Sequence, residues 1–572
     1  MKHDKEKNIK NRYFKRTAVG LLTAMLVMSL CACSSDTAGN TADTAGQVQS
    51  ETDSDTDQII ENTDSASEEA ADESDAGKKD SAAEKDSAAE KDSAAEKNND
   101  AENDSPAEND NDAENDSDAE NGRPGNPPGE PPQGGPDGNG GPGGKGGPDG
   151  KGGPDGNGGP SGSFGGSGDI EYSGAEEITS GDSQSSLIYT SSTADESALL
   201  IATDEEVAIT DPTVTKTGDS DGGDNCNFYG LNAAVLVKDG SEATITGGTV
   251  TSEADGANGI FCYGGNGGQN GAEGDGTTVT IRDTVIKTTG DGSGGIMTTG
   301  GGTTYAYDLD VTTGGRSSAA IRTDRGGGTV VVDGGTYTTS GLGSPAIYST
   351  ADITVSNAVL TSNLSEGVCI EGLNSITLND CDLTADNTKQ NGNATFLDTI
   401  MIYQSMSGDA DSGTSHFTMT GGSLTSKSGH VFHVTNTNAV ITLENVEISN
   451  EDSDNILLSV CDDGWSGAEN EATVNASSQV LSGAVLVGSN STLTMNLTNG
   501  SSFEGYVDGK ITNANGETVS TEAGTVSVTL DSTSTWTLTG DSYVTEFNGD
   551  AANVVSNGYT LYVNGTALTG TK

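Results

Sequence analysis

Three arginines fall close together in Arg316-Ser-Ser-Ala-Ala-Ile-Arg322-Thr-Asp324-Arg325-Gly326-Gly327-Gly328, in a chain with only 26 basic residues. A guanidinium meets a carboxylate through two parallel hydrogen bonds, so uronic-acid sugars or acidic glycans suit such a cluster. Arg322 or Arg325 beside Asp324 also offers a base next to a neutralising cation, which a lyase of uronate polymers requires. The same side chains build an internal Arg–Asp ladder equally well, and both readings stand at this stage.

Other groups offer different chemistry. Asp219-Ser-Asp221-Gly-Gly-Asp224-Asn225 alternates oxygen ligands with turn glycines, which suits Ca²⁺, although the bidentate Glu of a full EF-hand loop is missing. His430 and His433 lie three apart, on opposite faces of a regular strand, with no third ligand nearby in sequence to complete a metal site. Cys226, Cys262, Cys369, Cys381 and Cys461 are an odd set, so at least one is unpaired, and small buried apolar positions are the expected role of most.

The elements that must position these residues show as a repeat. Ala234-Val235-Leu236-Val237, Gly259-Ile260-Phe261-Cys262, Gly295-Ile296-Met297-Thr298, Ala320-Ile321-Arg322-Thr323, Ala346-Ile347-Tyr348-Ser349 and Gly367-Val368-Cys369-Ile370 are copies of one pattern. Their anchors Val235, Ile260, Ile296, Ile321, Ile347 and Val368 are 25, 36, 25, 26 and 21 residues apart, a period that marks a stacked architecture. A second family of runs follows in phase, among them Ala243-Thr-Ile-Thr, Ile353-Thr-Val-Ser and Phe417-Thr-Met-Thr, and a third includes Thr249-Val250, Val359-Leu360 and Ser423-Leu424. Gly, Asn and Asp between the second and third runs supply turns that accept positive φ. Three strands per coil predict an all-β parallel β-helix solenoid of roughly ten coils, about 50 Å long at the inter-strand spacing. Tyr172 to Asp211 is the expected N-terminal cap, and the segments around Trp536 and Asn557 to Gly565 are the expected closing coils.

Strand alternation turns the residue beside each anchor outward, giving a column of Leu236, Phe261, Met297, Arg322, Tyr348, Cys369, Met401 and Phe432. Such a ridge is either a binding face, with Phe261, Met297, Arg316, Arg322 and Tyr348 as its ligand-binding residues, or a seam that insertions such as 264–276 and 386–398 fold over.

This coil pattern resembles extracellular right-handed parallel β-helix proteins, the superfamily of pectate-lyase-like enzymes and adhesin-like surface proteins. The Thr-rich runs and the Ser-Thr-Trp536-Thr-Leu-Thr-Gly-Asp541 ending look closer to the adhesin-like members. Cys461-Asp462-Asp463-Gly464-Trp465 resembles the adjacent aspartates of β-helix polygalacturonases. Yet Gly429-His430-Val431 precedes the aspartates and no Arg-x-Lys follows, so that activity is not carried over.

Ahead of the repeats the chain has a different character. A basic start, an apolar stretch from Ala18 to Leu30 and Leu30-Cys31-Ala32-Cys33-Ser34-Ser35 resemble a bacterial lipoprotein signal peptide. The resemblance implies cleavage after residue 32, lipidation of Cys33 and a membrane anchor outside the cell. Residues 33–121 form an acidic tether that cannot bury enough apolar surface to fold, and 122–168 a Gly/Pro-rich linker, leaving 169–572 as the β-helix domain. The net charge of -61 and the lack of a basic patch exclude nucleic acid as a partner. The expectation is a lipid-anchored extracellular protein that binds glycans or other surface polymers without turnover. Its alternatives are a polysaccharide lyase or hydrolase using the arginine corner with Ca²⁺, and a structural surface rod.

Overall fold

The computed structural model describes residues 170–572 except 182, 221, 267–272, 406 and 466. The signal peptide, Cys33, the tether and the linker lie outside the described residues.

The anchors named above stack in one all-parallel sheet, with Val235, Ile260, Ile296, Ile321, Ile347 and Val368 as register partners. This first sheet has 15 strands, the second 14 and the third 10, and in each one successive neighbours come from successive coils. The chain is a parallel β-helix. Each strand is too short to bury much alone, so apolar residues of successive coils form one continuous core running through all three sheets. Fifteen coils at the inter-strand spacing make a rod about 70 Å long, longer than the repeat alone predicts. The difference lies at the ends. Tyr172 to Asp211 is not a separate cap, because Ser173–Ile178, Ser183–Ser185 and Ile188–Ser191 already pair as the first strands of the three sheets. At the other end Trp536 is fully buried, its ring 5.4 Å from that of Phe503 in the preceding coil.

The turn from second to third sheet repeats as the sequence requires. Asp211, Gly247, Asp283, Asp308, Gly334, Asn357, Asp380, Gly421 and Asn445 occupy it, all with positive φ. Asn and Asp tolerate this conformation through local side-chain hydrogen bonds, and glycine has no Cβ to clash. Inside the bend that follows the third sheet, serines satisfy the backbone. The Ala257, Ser293 and Ser318 amides donate to the Ser293, Ser318 and Ser344 hydroxyls, each at 2.9 Å. Pairing a buried amide in every coil avoids the penalty of an orphaned donor.

Candidate functional site

Residues beside the anchors do point away from the core, but the column they form is covered. Leu236, Phe261 and Met297 are buried with Leu200 and Ala233 in a second apolar cluster. The short helix Asp224–Tyr229 covers this end, its Phe228 carbonyl accepting from the Thr299 hydroxyl at 2.7 Å. Phe261 and Met297 are therefore packing residues and present no surface to a ligand. Phe432 leaves the column altogether. It pairs with Ile400 and packs in the main core, and its neighbour His433 takes the outward position beside Met401.

Further along, the covered face becomes titratable. Arg322 Nη2 lies 2.6 Å from Asp324 Oδ2, while its Nη1 donates to Asn227 Oδ1 and to the Ser317 carbonyl. Burial raises the Asp324 carboxyl to about 6 even though the Arg322 guanidinium draws it down. Arg325 pairs with Asp409 at 2.7 Å and lies 4.1 Å from the centre of the Phe228 ring. The arginine corner is thus the internal ladder of the two readings, and its charges are engaged within the protein. Arg316 alone stays exposed, donating to Asn391 Oδ1 at 3.2 Å.

One coil on, Tyr348 donates to Glu371 Oε2 at 2.6 Å and Tyr403 to the same oxygen at 3.1 Å, while Ser405 and Ser407 reach Oε1. Burial raises the Glu371 carboxyl above its ordinary range, and these hydroxyl donors only partly oppose it. The Trp465 ring sits 4.9 Å from that of Tyr403. Glu371 could have been found from sequence, since it lies two residues beyond Cys369 on the same strand face. Asp409 could not, because it sits in an insertion 84 residues from its arginine.

The third group overturns the expectation that His430 and His433 face apart. Both Nδ1 atoms lie 2.7 Å from the Ser459 hydroxyl. Adjacent Val431 and Phe432 both pack in the main core, so alternation breaks between them and the flanking His430 and His433 come to the same outer side. His433 Nε2 stands 3.3 Å from Asp463 Oδ2, and Phe396 stacks on the His433 ring with centroids 4.5 Å apart. Burial pushes the Asp463 carboxyl up, but His433 and two donors from Thr395 outweigh it and hold it below the usual range. Burial, with His433 adding to it, lowers His430 to about 3. Nearby Asp398 is driven well up by burial and by Glu366.

Of the three proposed calcium ligands, two are described. Asp219 accepts from the Asp255 amide, Asp224 opens the helix, and Asp221 lies outside the described residues. No group of three His, Cys, Asp or Glu among the described residues is placed to hold a metal ion. The five cysteines among the described residues are buried, and none of them is joined to another in a disulfide.

The open surfaces are the outer faces of the other two sheets. On the third, Thr312, Thr338, Thr361, Thr384 and Thr425 are successive register partners, each at least partly exposed. On the second, Thr354, Thr377, Thr418 and Thr442 repeat the arrangement, and near the N-terminal end Glu206, Glu242, Thr278 and Thr280 line a shallow polar groove.

Fold and surface together define a parallel β-helix with one covered, charge-paired face and two open hydroxyl-rich faces. No family model, curated protein or solved structure matches the chain.

Proposed function

We propose that this protein is the head of a lipid-anchored, adhesin-like surface molecule of the right-handed, pectate-lyase-like kind. It is held to the membrane through Cys33 and binds polysaccharide or a similar extended polymer without cutting its backbone. The observation that carries the reading is the row of Thr312, Thr338, Thr361, Thr384 and Thr425. Stacked strands repeat about every 4.8 Å, so the row presents methyl and hydroxyl groups at regular intervals to a ligand that is itself periodic. Short, stiff threonines lose little side-chain freedom on binding, which favours weak contacts summed over length. The arginine corner supports this reading over a lyase, because Arg322 and Arg325 are already paired with Asp324 and Asp409.

The mature chain should be retarded in affinity gels containing neutral β-glucan or uronate polymer. The double variant Thr361→Glu, Thr384→Glu should bind about tenfold more weakly, as expected for a loss of about 1.4 kcal/mol. An absence of retardation by every neutral and acidic polymer would refute the reading.

A further inference from the structure

We infer that Ser459, His433 and Asp463, with His430, form a covered nucleophilic site for acyl transfer, able to cleave carboxylic esters. This goes beyond polymer binding and rests on different residues.

Counting hydrogens fixes the proton arrangement. His433 Nε2 stands 3.3 Å from Asp463 Oδ2 without a hydrogen bond between them, and neither atom has another partner; the adjacent carboxylate favours the hydrogen on that nitrogen, which leaves Nδ1 as an acceptor. The Ser459 hydroxyl has one hydrogen and two histidine nitrogens at 2.7 Å. It donates to His433 Nδ1 and accepts from His430 Nδ1, which must then bear the hydrogen. The order is His430 N–H to Ser459 Oγ and Ser459 O–H to His433, with the His433 Nε2 hydrogen beside the Asp463 carboxylate. A serine next to a base that is oriented by a carboxylate is the arrangement that activates a hydroxyl. The His430 donor stabilises negative charge growing on Oγ. Asp463 stands beside His433 and compensates a positive charge there, whereas burial holds His430 neutral, so His433 is the base.

In the step this permits, Ser459 Oγ forms a bond to the ester carbonyl carbon and its proton passes to His433 Nδ1. The carbon–alkoxy bond breaks and the alcohol leaves with that proton. Water, deprotonated by His433, then releases the acid and restores the hydroxyl.

The cover is also part of the site. Ser459 and His433 are fully buried, and Phe396 lies on the imidazole. The segment carrying Phe396 is fastened through Thr395, whose amide and hydroxyl donate to Asp463 Oδ1 at 2.7 and 2.6 Å. Asp463 therefore orients the base with one oxygen and holds the cover with the other. Access requires this segment to lift.

The test uses the full mature chain and a fluorophosphonate probe, whose phosphorus takes the Ser459 oxygen as fluoride leaves and His433 accepts the proton. Peptide mapping should find the adduct on Ser459. Phe396→Ala should label faster, and His433→Ala should label about 100-fold more slowly, the usual contribution of a general base. Ser459→Ala should retain the β-sheet circular dichroism spectrum and lose the adduct. Absence of label at Ser459 in both the unaltered chain and Phe396→Ala would overturn the inference. So would labelling of Ser459 at an unchanged rate in His433→Ala.

Discussion

Asp324 shows what a charge costs when a coil closes over it. Its carboxylate is paired with Arg322 and yet its pKa stands near 6, because burial outweighs the guanidinium. The folded protein therefore holds a proton there that the unfolded chain, titrating near 3.8, gives up. Where the native state binds more protons than the unfolded state, stability falls as pH rises. The site's stabilisation is fully present below about pH 4, is lost between pH 4 and 6, and is absent above that, a swing of about 3 kcal/mol at 1.36 kcal/mol per unit. Denaturant titrations of the unaltered chain and Asp324→Asn at pH 4 and pH 7 should show a smaller drop in the variant. Arg322→Ala should cost about 3 kcal/mol at pH 7, where it strands a buried carboxylate. At pH 4 it should cost much less, since Asp324 is then neutral. Equal costs at both pH values would show that the pair is not electrostatically tight.

At the scale of the coil, the turns that leave the second sheet separate two roles of glycine. Gly422 has φ 69°, and a Cβ there would lie 2.0 Å from the carbonyl oxygen of Cys381 in the preceding coil. Gly500 follows Asn499 in the turn that leads from the second sheet to the first, beyond the last strand of the third, with φ 80°, and a Cβ there would meet nothing within 4 Å. Gly500→Ala pays only the left-handed backbone cost, about 1–2 kcal/mol. Gly422→Ala adds a backbone collision that no rotamer relieves, bringing its cost to about 3 kcal/mol or more. Urea midpoints of the two variants should rank in that order, and matching midpoints would mean that the coils slide apart without penalty. The turn from second to third sheet was legible in the sequence because its physics is local. The anchors were legible too, since alternation along a strand does not depend on what lies outside it. That insertions fold over the column stood as one of two readings, with 386–398 among them, but which side chains the covers place there was not legible. Phe396 reaches His433, and Asp409 reaches Arg325, through contacts that no periodicity encodes. The convergence of His430 and His433 on Ser459 escaped for a related reason, a break in alternation at Val431 and Phe432, which both pack in the core.

Along the described coils the strands of each coil pair only with those of its neighbours, so stability should be distributed along the rod and not pooled in one centre. The distribution is uneven. The third sheet has 10 strands against 15 in the first, and its last strand is Glu447–Asn450, so the coils beyond it are held by ladders on two sides only. The final strands are also the shortest, with Val554–Val555 and Thr566–Ala567 of two residues each. Local opening free energy follows the number of buried contacts and ladder bonds that must break together. Amides between residues 321 and 450, with three complete sheets and loops over the outward face, should exchange slowest. Those beyond residue 535 should exchange fastest, despite the buried Trp536. Hydrogen exchange read by mass spectrometry should show this as a gradient along the C-terminal coils, with opening beginning at the end and moving inward. A single exchange rate across residues 321 to 572 would instead mean that the continuous core couples all the coils into one unit, and the nearest-neighbour picture of the rod would fail.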